Sequence, residues 1–170
     1  MKKPFITIVA LLGTLTGLMA QDADFGITAG YMNARGSVKV DGGSFSNSES
    51  GIYAGVVADF SLTDVVHIQP ELLYASVDGS DGLLLPVMLK YYVAPKVNFQ
   101  AGPQFVFSLE DVPDDFTGIE FDLAGGVGVD IVAGLFAEAR YSFQLNNSYT
   151  GSEDVKVRGN YLTIGVGYTF

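Results

Sequence analysis

Four ionisable residues, Glu71, Lys90, Glu138 and Arg140, interrupt segments that are otherwise rich in apolar side chains. Each sits where its neighbours on either side are apolar. A charge in such a setting is expensive unless it meets its opposite, so two acids and two bases of this kind are expected to pair. The chemistry they could do is to close an interior with a polar network; a proton or ion path is the alternative. His67 is the only histidine. Gln69 and Glu71 share its side of the chain and could orient it. No serine stands at a spacing that completes a nucleophile, base and orienter, so His67 reads as an incidental polar residue and no catalysis is expected.

The remaining candidates are weaker. Glu110, Asp111, Asp114 and Asp115 form an acidic run, followed by Glu120. It reads as a solvated loop, with Asp111, Asp114 and Asp115 as weak candidates for a divalent cation. Asp78-Gly79-Ser80-Asp81-Gly82 resembles the start of a calcium loop, but Leu89 stands where the closing glutamate would be. Gly125, Gly126 and Gly128 precede no helix and suit a crowded strand, not a dinucleotide site. With no cysteine in the chain there is no thiolate site or disulfide. No cofactor is expected.

These residues are carried by segments that alternate with period two, the mark of strands with two unlike faces. Eight can be counted, at about 23–34, 51–62, 66–77, 83–93, 97–108, 118–131, 135–145 and 160–170. One face of each is apolar and almost free of charge. The other mixes Gly, Ser, Thr, Asn and Gln with the ionisable residues. Residues 35–50, 78–82, 109–117 and 146–159 form the longer connections, and 63–65, 94–96 and 132–134 the shorter ones. The first and last of the long connections read as mobile surface loops.

A soluble barrel would put its large apolar residues inside and its charges outside. Burying the mixed face in a dry core would desolvate several charges, so the apolar face is better placed against lipid. Composition agrees: charged residues make up 16%, against about 25% in an ordinary soluble domain. Aromatics of the apolar face gather at the strand ends, as the girdles of a membrane barrel do. Phe25, Phe60, Tyr91, Phe99, Tyr168 and Phe170 lie toward the short turns. Tyr31, Tyr74, Phe105, Phe107, Phe121, Tyr141 and Phe143 lie toward the long loops. The reading is an all-β, eight-stranded antiparallel up-and-down transmembrane β-barrel over residues 21–170.

Residues 1–20 read as a signal peptide: Lys2 and Lys3, then an apolar stretch from Phe5 to Leu18, then Ala20 before a polar start at Gln21. Its removal would take the net charge from −10 to −12. So acidic a chain repels phosphodiester backbones, and nucleic acid is not expected as a partner. Long loops and an even strand number suit the bacterial outer membrane. The expected surroundings are then outer-membrane lipid and lipopolysaccharide. An extracellular or envelope protein is a further possible partner. The alternating run Leu162, Ile164, Val166, Tyr168, Phe170 ends on an aromatic. It resembles the signal read by the barrel assembly machinery, with Tyr168 and Phe170 as its key residues.

Several runs, in order, resemble the outer-membrane β-barrel family that includes PorT-like proteins. They are Gln69-Pro70-Glu71-Leu72-Leu73-Tyr74, Leu85-Pro86 with Lys90-Tyr91-Tyr92, Ala101-Gly102-Pro103-Gln104 and Ala139-Arg140-Tyr141. The resemblance spans nearly all of the mature chain. It implies an outer-membrane barrel, similar in architecture to the OmpA and OmpX barrels, and no defined activity. The expected role is structural or surface-interacting, through the extracellular loops. A narrow channel or carrier for small solutes, or an accessory subunit of a secretion complex, is the alternative.

Overall fold

In a computed structural model, which describes residues 23–40, 43–151 and 155–170, the alternating segments are strands. They are β1 (Ala23–Val40), β2 (Gly43–Thr63), β3 (Val66–Val77), β4 (Ser80–Ala94), β5 (Val97–Ser108), β6 (Ile119–Val132), β7 (Leu135–Gln144) and β8 (Lys156–Thr169). Each pairs antiparallel with the next, and β8 pairs with β1, which closes an eight-stranded barrel. The proposed signal peptide lies outside the described residues.

Alternation decides which face turns inward. Thr28, Met32, Tyr53, Val57, Gln69, Glu71, Leu73, Met88, Lys90, Gln100, Asp122, Glu138 and Arg140 are buried in the lumen. The opposite face stays exposed and apolar: Ile27, Ile52, Val56, Leu72, Val87, Leu89, Val127, Ile164 and Val166 are all more than a third open. Continuous exposed apolar surface on this scale marks a membrane contact. The aromatic girdles fall where expected. Tyr91 is paired with Phe99 near the short turns, and Phe105 with Phe121 near the long loops, their rings 5.1 Å apart.

The strands are strongly staggered. A row of hydrogen-bonded neighbours starts at His67 on β3 and runs through Lys90, Gln100, Gly126, Arg140, Thr163, Met32 and Gly51. It returns to β3 at Val77, ten residues farther on (67 to 77). Strand number and stagger together fix the width of a barrel, and eight strands leave room only for side chains.

The two ends differ. Turns at 64–65, 95–96 and 133–134 close the short side, each beside a register shift: Ser61/Thr63, Tyr92/Ala94 and Asp130/Val132. At the other end, three connections, 78–82, 35–50 and 146–159, depart from the sequence reading. Residues 78–82 are not a longer loop. Asp78 and Gly79 both take positive φ, 48° and 84°, and make a two-residue hairpin turn. Residues 35–50, expected to be a mobile loop, continue β1 and β2 as a hairpin paired as far as Val40 and Gly43. Period two persists there, but polar residues on both faces hid it. β8 follows β1 up to Lys156, so β8, β1 and β2 rise above the rim as a three-stranded sheet. The other two loops touch through the Phe116–Tyr149 bridge, whose rings meet edge to face at 5.5 Å.

A charge placed at mid-belt tests the lipid-facing assignment. Val87 lies midway between Leu83, which pairs with Tyr74 of one girdle, and Tyr91 of the other. Val87→Arg is expected to lower folding stability in lipid vesicles by about 2–4 kcal/mol, read from urea titration of the folded band.

Candidate functional site

The lumen is built in layers. At mid-height, β7 places Glu138 and Arg140 on one face and β3 brings Glu71 across to them. Arg140 grips Glu71 with both terminal nitrogens, Nη1 to Oε2 at 2.9 Å, and also donates to Glu138 Oε2 at 2.6 Å. Its Nε donates to Gln100 Oε1 at 2.7 Å. A guanidinium offers five donors in a planar fork, which is why one arginine can hold two carboxylates and an amide.

Lys90 does not join this group directly. Its Nζ donates to Asp59 Oδ2 at 2.6 Å and to Gln69 Oε1 at 2.8 Å. Gln69 Nε2 in turn donates to Glu71 and reaches Glu138 Oε2 at 3.5 Å, so one amide joins the two ion clusters. Of the four residues singled out from sequence, the structure brings Glu71, Glu138 and Arg140 into contact. Lys90 sits one layer nearer the short-turn mouth. The stagger raises each hydrogen-bonded row around the barrel, which separates Lys90 from the other three. His67 lies opposite Lys90, and Glu71 is four residues farther along β3.

His67 is more than incidental. Its Nδ1 donates to Asp59 Oδ1 at 2.6 Å, and its ring lies 4.8 Å from that of Tyr92. Ser61, paired with His67 across β2 and β3, has Oγ 3.4 Å from the same nitrogen. A catalytic triad needs the acid on one imidazole nitrogen and the serine on the other. Here both use Nδ1, so Asp59, His67 and Ser61 form an electrostatic anchor and not a nucleophilic device. Asp24, Asp59, His67, Lys90, Lys96 and Asp130 face a cavity of about 340 Å³ at this mouth. Lys90 and Gln69 form its floor.

Toward the long loops the filling splits into two sides. Met32, Tyr53, Leu73, Ala75, Val77 and Leu84 pack as an apolar cluster. Beside it, Gln104 Nε2 donates to Asp122 Oδ2 at 3.0 Å, and Ser142 Oγ donates to the same oxygen at 3.3 Å. Gln144 Nε2 donates to Ser148 Oγ at 2.8 Å, and Tyr161 donates to Glu120. Asp122 is 0% exposed and its Oδ1 has no partner among the described residues.

Small residues make room for the large ones of β7. Gly126 lies opposite Arg140, Gly128 and Gly165 opposite Glu138, and Gly167 opposite Phe136. A Cβ at Gly126 would stand 2.9 Å from Arg140 Cγ and 2.2 Å from the Ala139 carbonyl. The strand glycines are thus packing partners of the ion cluster.

Asp111, Asp114 and Asp115 lie exposed in the β5–β6 loop. Among the described residues no group of three or more His, Asp or Glu side chains converges, so the structure does not bring Asp111, Asp114 and Asp115 together as a ligand set. Outside the belt, at the β3–β4 tip, the Ser76 and Tyr74 hydroxyls hold the Asp81 carboxyl below the usual carboxylate range.

Asp59, Gln100 and Asp122 escaped sequence reasoning, and Gln69 was read only as a neighbour of His67. All four fall on the mixed face of their segments, so their inward direction was available. Their partners depend on the stagger, which no local pattern encodes.

An apolar belt, two aromatic girdles and a lumen filled with polar and apolar side chains define a small transmembrane β-barrel. No protein-family model and no curated protein sequence matches the chain. Among solved structures it is similar to Ail, the attachment invasion locus protein of Yersinia pestis, solved with the heparin analogue sucrose octasulfate. The TM-score is 0.51 and the identity 16%, over 88% of this chain and 100% of that one. It is similar also to a de novo designed transmembrane β-barrel, with TM-score 0.50 and 11% identity over 86% of this chain and 95% of that one. At these identities the likeness is one of fold.

Removing Arg140 alone strands Glu71 and Glu138 together. Arg140→Met is expected to cost about 3–5 kcal/mol. Adding Glu71→Gln and Glu138→Gln should recover most of that loss, because a neutral lumen needs no counter-charge. Urea unfolding in vesicles of the single and triple variants checks both statements.

Proposed function

We propose that the chain is an integral protein of the bacterial outer membrane, exported by its signal peptide, that acts through the structures it raises above the outer leaflet. The observation that carries this reading is the sheet of β8, β1 and β2 beyond the rim. β3 stops opposite Gly51, so the outer edge of β2 from Gly43 to Ser50 has no neighbour among the described residues. An open edge accepts an added strand unless proline, lysine or a bulge blocks it. Ser44-Phe45-Ser46-Asn47-Ser48 has none of these. On the side that continues the lumen face, Val38 and Val40 are exposed and Phe45 is 73% open. A protein segment that adds to the edge and covers these side chains is the partner this surface suits.

The lumen supports the same reading. Leu84 and Met88 are 1% and 0% exposed, and the Arg140 cluster fills the middle of the barrel, which argues against a standing channel or carrier. The geometry at His67 argues against catalysis. Membership of the PorT-like branch, and with it a place in a secretion complex, rests on the short runs quoted above and is the second reading. Tyr168 and Phe170 are proposed as the signal for the assembly machinery. The Phe170 N–H donates to Phe25 O at 2.9 Å, so the same residues that would be read also seal the closing seam.

Genetics separates the readings. A strain lacking the gene is compared with strains carrying either a deletion of residues 37–48 or the lumen triple variant. The deletion is expected to reproduce the envelope phenotype of the null, and the lumen variant to behave as wild type. The reverse pattern would assign the role to the lumen.

A further inference from the structure

The side of the raised sheet that continues the lipid belt has a different chemistry from the side with Phe45. Side chains alternate, so Arg35, Ser37 and Lys39 of β1 share it with Ser44, Ser46 and Ser48 of β2 and Lys156, Arg158 and Asn160 of β8. The register sets Arg35 opposite Asn160, Ser37 opposite Arg158 and Lys39 opposite Lys156. All four cations are exposed. Arg35 Nη2 donates to Ser46 Oγ at 3.2 Å, which ties the β1 and β2 donors together.

Two features make this patch more than a solvated surface. The chain has 19 acidic and 9 basic residues, yet among the described residues this face carries four bases and no carboxylate. No acid lies within 4 Å of any of the four among the described residues. Lys39 and Lys156 also stand directly opposite each other, an arrangement that destabilises a strand pair unless an outside anion bridges it.

Position names the anion. Arg35 is four residues beyond Tyr31 of the outer girdle. At about 3.3 Å per residue on a strand tilted by roughly 40°, that places it about 10 Å above the girdle. Headgroups occupy roughly the first 5–7 Å beyond the hydrocarbon, within reach of a long arginine side chain. Lys39 and Lys156 stand higher, where phosphates carried on sugars would lie.

We propose that Arg35, Lys39, Lys156 and Arg158 bind the phosphate groups of lipopolysaccharide in the outer leaflet, with the serines and Asn160 as neutral donors. Arginine matches phosphate with two parallel donors and lysine adds point charge, the mixture that recurs in phosphate recognition. The barrel would thereby gather a shell of phosphorylated glycolipid on its β8–β1–β2 side. The proposal rests on the outer-membrane location given above.

The test uses the full mature chain refolded into zwitterionic nanodiscs, titrated with fluorescent lipopolysaccharide or with the same material after phosphatase treatment. Each cation near an anionic lipid surface is worth roughly fivefold in binding. The variant R35Q/K39Q/K156Q/R158Q is therefore expected to bind on the order of several hundred-fold more weakly than wild type. Lys96→Gln, at a short turn, should leave binding unchanged, and wild type should lose affinity for the dephosphorylated form. Equal affinity of wild type and the quadruple variant, equal affinity for the two forms of the glycolipid, or equal enrichment of phosphatidylglycerol would each overturn the proposal. Heat-dependent mobility on a detergent gel keeps the two readings apart. A chain that never inserts fails the location first, whereas a chain that inserts and ignores the glycolipid fails only this inference.

Discussion

A backbone inside a bilayer has no water to satisfy its N–H and C=O groups, and each unsatisfied group costs several kcal/mol. A chain of strands meets that demand only by closing on itself. The pairing of β1 with β8, from Gly26 and Thr169 up to Lys39 and Lys156, removes the two edges that would otherwise face lipid. Once the ring is closed, the rest is constrained. One face of every strand must meet lipid, the other must meet its neighbours across a narrow lumen, and the stagger of ten residues sets how narrow that lumen is.

The lumen answers its own constraint by charge and by size. Arg140 collects Glu71, Glu138 and Gln100; Lys90 collects Asp59 and Gln69; Gln69 joins the two. Each buried charge in these clusters thus has a partner of opposite sign. Size is balanced across strands, with a β6 glycine beside Arg140, a β8 glycine beside Phe136 and one on each side of Glu138. An eight-stranded barrel with this filling is a solid post, and its variable chemistry is displaced to the ends.

The fold was legible because period two survives in every strand and because lipid contact leaves an apolar face almost free of charge. The bounds of β3 and β5 come directly from that pattern. The reading stopped short at residues 35–50 and 156–159, where the strands leave the belt. Neither face there must be apolar, so alternation loses its contrast. The site was half legible. Inward direction follows from local alternation, which is why Glu71, Glu138 and Arg140 could be grouped. Contact across the lumen depends on stagger and curvature, which are global. That is why Lys90 was grouped with Glu71, Glu138 and Arg140, and why Asp59, next to Phe60 at the turn end of β2, went unnoticed as its partner. The two basic pairs Arg35/Lys39 and Lys156/Arg158 lie far apart in sequence and become one surface only when β8 meets β1.

The central claim is that the apolar face meets lipid and the ionic face is enclosed. Sucrose-gradient fractionation of native cells, followed by a detergent gel of heated and unheated samples, tests it most directly. The account predicts migration with the outer membrane and a faster-running unheated band, since a closed barrel resists the detergent until heated. Recovery in the soluble periplasmic fraction, as a single band indifferent to heating, would contradict it.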